Sequence, residues 1–84
     1  MTKQEKLAAA TADMAATKEL REGALMRLLF AQLKFVKVSL EEGNNLAAFD
    51  EREEAICDVL DAHTQHHNAE LKLRIIHEAV NGAA

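Results

Sequence analysis

Glu41-Glu42-Gly43-Asn44-Asn45 is the stretch that decides how this chain folds. Gly43 can adopt the left-handed conformation that ends a helix, and Asn44 or Asn45 can cap the next one. On either side the sequence is filled with Ala, Leu, Glu, Lys, Arg, Gln and Met, the strongest helix formers. The pattern predicts a helical segment over about 2–42, a turn at 43–45, a second helix over about 46–81 and a frayed end at 82–84. Asp50 and Glu53 have capping-box spacing, which offers a second start near residue 50. Gly23 and Thr64-Gln65-His66-His67-Asn68 are the weakest helical stretches and the candidate bends.

The chain has 84 residues, enough for a single domain. Apolar residues make up 49%, but sixteen of them are Ala and only three are aromatic. There is no Pro, Trp or Tyr. An all-β fold of this length needs frequent turn residues and many β-branched ones, and the sequence has neither. The single Cys57 excludes an internal disulfide framework and a four-Cys zinc site. The fold class expected is all-α: a long antiparallel helical hairpin that dimerises into a four-helix bundle.

The most apolar segment is 24–40. It presents Leu25, Leu28, Leu29, Phe30, Leu33 and Val36 on nearly every side, with a solvated stripe through Arg27, Lys34, Lys37 and Glu41. Such a helix has to be covered on more than one face. The second helix offers a narrower face through Leu46, Phe49, Ile56, Leu60, His63, His67 and Leu71, then Ile75 or Ile76 and Val80. Folding about residue 44 brings Lys37 near Glu51, Lys34 near Glu54 and Arg27 near Asp61; a start at residue 50 would instead set Lys34 against Asp58. A two-helix hairpin cannot cover segment 24–40 alone, and a chain this small gains from association. The interface is therefore assigned to Leu25, Leu28, Leu29, Phe30, Leu33, Val36, Ile56, Leu60, His63 and His67, and the expected partners are a second copy and another protein.

Net charge is −4, which argues against generic nucleic-acid binding. The run 24–40 is too short and too charged to span a bilayer. With no signal-peptide pattern, a cytoplasmic location is expected.

Little in the sequence points to catalysis. Acidic neighbours blunt Cys57, Ser39 precedes two Glu, and the three Gly are isolated rather than forming a phosphate loop. No enzyme activity and no cofactor is expected. His63 and His67 stand at i, i+4, as do His66 and Glu70, which is metal-ligand spacing. Their place on the apolar face reads instead as interface histidines, and no metal is assigned.

Met-Thr-Lys-Gln-Glu-Lys at 1–6 and the run from Asp50 to His63, with its Ile-Cys-acid-x-Leu-x-x-His pattern, resemble the Rop family of plasmid copy-number regulators. The likeness covers about a quarter of the chain. It implies a helical hairpin that dimerises and binds paired RNA loops. Lys3 matches an RNA-contact Lys of that family, and Lys6, Lys18 and Arg21 would have to join it on one face. Ala10, Met14 and Leu25 stand where other contacts should be.

The functional expectation is a small interaction module, acting as an adaptor, a chaperone-like protein or a stoichiometric regulator through apolar helix surface. Rop-like RNA binding and a ligand or metal site at the His cluster are the alternatives.

Overall fold

Two long helices make up the fold, described by a computed structural model over residues 1–82. α1 is Lys3–Glu42 and α2 is Leu46–Val80. Of the frayed end expected at 82–84, Gly82 lies in a turn at φ 61°, and the other two positions lie outside the described residues.

Local chemistry sets the ends. The Thr2 hydroxyl accepts from the Glu5 N–H at 3.1 Å, and Glu5 Oε1 accepts from the Thr2 N–H at 3.4 Å. This reciprocal capping box starts α1. α1 stops at Gly43, whose φ of 79° and ψ of −149° belong to a region that side chains avoid. Asn45 Oδ1 then accepts from the Ala48 N–H at 3.0 Å, so α2 starts at residue 46. Asp50 and Glu53 lie inside that helix and cap nothing. Neither candidate bend forms: α1 runs unbroken through Gly23 and α2 through 64–68.

The helices pack with a seven-residue repeat. Call two seam positions of the repeat a and d. In α1 the a positions are Leu7, Met14, Arg21, Leu28 and Phe35, and the d positions are Ala10, Thr17, Ala24, Ala31 and Val38. In α2 they are Asn45, Arg52, Val59, His66, Leu73 and Val80, and Ala48, Ala55, Ala62, Ala69 and Ile76. All are buried or half-buried; Gly23, Ser39, Ile56 and Glu70 are the only others so covered among the described residues. The strict 3-4 alternation is that of a coiled coil.

The hydrogen bond between Thr17 and His66 fixes the register. In that register Leu28 stands opposite Ala55, Phe35 opposite Ala48, Met14 opposite Ala69 and Val59 opposite Ala24. Seven of the ten layers set a larger side chain against an alanine, the exceptions being Leu7 with Ile76, Thr17 with His66 and Val38 with Asn45, so the two backbones approach closely along most of the rod.

This seam corrects two expectations. Lys34 pairs with Glu51 at 2.9 Å, not with Glu54 or Asp58, so the fold axis lies nearer the end of α1 than residue 44. Of the α2 face expected to hold the hairpin together, Leu46, Phe49, Leu60, His63, His67 and Leu71 are exposed and point away from α1's seam, Ile56 is half-buried beside it, and Ile76 and Val80 lie in it. Alanine, the smallest apolar residue, occupies the contact instead. The rod measures 62 × 17 × 16 Å, and its radius of gyration of 18.6 Å far exceeds the ~12 Å of a compact domain of this length.

Candidate interaction surface

Each helix carries a second row beside the alanine seam. In the same repeat, positions b and e lie on one flank of the hairpin. From α1 they contribute Leu25, Leu29 and Val36, and from α2 Leu46, Phe49, Ile56 and Leu60. Leu46 is 79% exposed, Leu60 60% and Leu29 52%. The two helices contribute jointly: Leu25, Leu28, Leu29, Gln32 and Ile56 line one shallow groove. The apolar row occupies only the half of this flank nearest the turn. Toward the termini α2 continues it with His63, His67, Glu70, Arg74 and His77, and α1 with Ala8, Thr11, Ala15 and Lys18.

The assigned interface residues therefore separate. Leu25, Leu29, Val36, Ile56 and Leu60 share the apolar flank. His63 and His67 continue the same row but are exposed and stand past its apolar part. Leu28 lies half-buried in the seam. Phe30 sits on the opposite flank, where it lines a groove with Arg27, Lys34, Glu51, Glu54 and Asp58. Leu33 faces outward, 58% exposed. Segment 24–40 is apolar all round because its residues serve several different faces.

The opposite flank is charged and partly paired. Lys34 meets Glu51 across the helices, and the same register sets Arg27 beside Asp58. The acid cluster of early α2 is thus drawn toward the basic residues of late α1. Both members of the Lys34–Glu51 pair are half exposed, so the pair sets register more than stability.

His66 is the histidine that the seam takes in, at 3% exposure. Its Nε2 lies 2.9 Å from Glu70 Oε1, and its Nδ1 lies 3.0 Å from the Thr17 hydroxyl. That hydroxyl also reaches the Asp13 carbonyl at 2.8 Å. With a neutral ring, Nε2–H donates to Glu70 and Thr17 donates to Nδ1. With a charged ring, Nδ1–H donates to Thr17, whose own proton turns to the Asp13 carbonyl. Every polar atom is satisfied in either state. The i, i+4 relation of His66 and Glu70 is visible in sequence; the role of Thr17, on the other helix, is not.

Arg52 also enters the seam. Its guanidinium lies over the Phe35 ring at 4.4 Å and the Phe49 ring at 5.4 Å, and the two rings are tilted, with centroids 6.3 Å apart. Nη2 reaches Glu53 at 3.4 Å, while the buried Nε has no hydrogen-bond partner. Cation–π contact offsets part of the cost of covering this charge.

No group of three His, Cys, Asp or Glu converges to hold a metal among the described residues. The basic residues of α1 do not gather on one face: Lys6 lies on the charged flank beside Asn68 and Lys72, Lys18 on the other flank, and Arg21 in the seam. No helix among the described residues is long and apolar enough to cross a membrane. No protein-family model, curated protein or solved structure matches the chain.

Proposed function

We propose that the protein works by binding rather than catalysis, as a cytoplasmic interaction module whose working surface is the apolar flank nearest the turn. It assembles into a four-helix bundle there and acts as an adaptor, a chaperone-like protein or a stoichiometric regulator of another protein. One observation carries this reading: Leu25, Leu29, Val36, Leu46, Phe49 and Leu60 are each 41–79% exposed and lie on one flank of a rod whose own seam is already filled. A contiguous apolar patch of that kind marks an interaction site. The charged opposite flank would steer a partner's approach rather than hold it.

The test is native mass spectrometry of the protein from its own source, beside a Leu29→Glu, Leu60→Glu variant. Wild type is expected as a multimer or with a protein bound, and the variant as a bare, still helical monomer. A bare monomer for wild type, or association unchanged in the variant, would end this reading.

A further inference from the structure

Deepening that reading, and resting on it, we propose that the occupant of the apolar flank is a second copy of this chain, packed antiparallel and overlapping only the turn-proximal half. Three observations select this arrangement.

The first is area. The chain exposes 6192 Å², whereas a compact monomer of its mass exposes about 5,000 Å². The excess, about 1,200 Å², is spread over the elongated rod, which therefore has surface enough for the ~800 Å² that each partner covers in a stable complex.

The second is symmetry. In α2 the apolar row reads Leu46, Phe49, Ile56 and Leu60, spread evenly about Glu53. A two-fold interface is self-complementary, and a row symmetric about its own midpoint meets itself when turned end over end. The one charge in the middle brings its counterion: Glu53 is paired with Arg52 at 3.4 Å, and Arg52 is held on Phe35 and Phe49.

The third is what full-length overlap would do. With the turn of one copy beside the termini of the other, the axis would move to His63. Phe49 would then face His77 of α2 in the other copy, Ile56 would face Glu70 and Leu60 would face His67. Apolar side chains would lie on polar ones along the length of α2. α1 does not discriminate, because its outer residues Ala8, Thr11 and Ala15 are small. Half overlap puts apolar on apolar and leaves the histidine-rich ends in water.

The two registers differ by a measurable length. Half overlap about Glu53 makes a particle about 90 Å long from two 62 Å rods, at ~1.5 Å per helical residue. Full overlap keeps it near 62 Å. Single cysteines placed at the candidate axes, in a Cys57→Ser background, report the same choice. Glu53→Cys is expected to form a covalent dimer on mild oxidation, His63→Cys is not, and small-angle scattering of the uncrosslinked protein should give the longer particle. Crosslinking at His63→Cys with the shorter particle would overturn the half-overlap register and leave the interaction reading standing. A dimer crosslinked at neither site would overturn it too. A monomer carrying a different protein would overturn the second copy as occupant. A bare monomer would overturn both readings. Far-ultraviolet circular dichroism confirms that each variant remains helical.

Discussion

At the scale of single residues, the seam is governed by size. A large side chain facing an alanine lets helices approach, and the layer joined by a hydrogen bond across the helices, Thr17 against His66, is similar, with a small hydroxyl facing a ring. Replacing Thr17 by Val should strand His66 Nδ1 in a site that water barely reaches and cost about 1–3 kcal/mol. The double change Thr17→Ala, His66→Leu makes an ordinary alanine-leucine layer and should restore stability to near wild type. Urea unfolding of Thr17→Ala alone, His66→Leu alone and the double variant measures the coupling. A fully additive double mutant would show that the two side chains do not act together. Sequence reasoning placed His63 and His67 in the contact because they follow the large apolar residues. It passed over His66 because the residues sharing its row, Ala55, Ala62 and Ala69, advertise little hydrophobicity.

At the scale of elements, the helix ends were legible and the faces less so. Gly43 and Asn45 are punctuation whose chemistry is local, so a sequence states it directly. The helix faces depend on which of two adjacent rows meets the partner helix, and that choice is tertiary. Both rows repeat at 3-4 spacing. The one with Leu, Phe and Ile reads as the stronger seam, yet close approach favours the one with alanine. Gly23 is a candidate bend in the sequence because glycine weakens helices, but forty residues of packed seam override one weak position. A Cβ there would meet Arg27 at an ordinary 3.7 Å. Gly23→Ala should therefore stabilise by about 0.5–1 kcal/mol. Gly43→Ala should do the opposite, by about 1–3 kcal/mol, because the turn holds residue 43 at positive φ. Thermal unfolding of both variants against wild type checks the two signs; a matching sign for both would contradict the assigned backbone roles.

At the scale of the whole molecule, a two-helix rod has almost no interior. Its largest buried residues are alanines and one histidine, so the hairpin alone buries little apolar surface for the chain it must order. If the apolar flank is covered by association, stability depends on concentration. The melting temperature of the purified protein should rise as it is raised from about 1 to 100 μM, since whatever binds only the folded state stabilises it by mass action. A melting temperature independent of concentration would mean that the hairpin stands alone. That segment 24–40 carries apolar residues on more than one face was legible in the sequence. Which face would be left open was not, because that depends on the register of the two helices.

The repeating seam has one more consequence. Its layers are interchangeable, so length is a free variable of this architecture. Excising residues 25–31 together with residues 52–58 removes one repeat from each helix at matching heights. The frame on both sides is preserved, every remaining layer still sets its residues against the same partners, and the rod shortens by about 10 Å. The same excision takes away Leu25, Leu29 and Ile56. The scaffold and its exposed apolar row are therefore written in separable cassettes: the chain can be trimmed like a ruler, and one particular cut leaves the ruler whole while thinning that row to Val36, Leu46, Phe49 and Leu60.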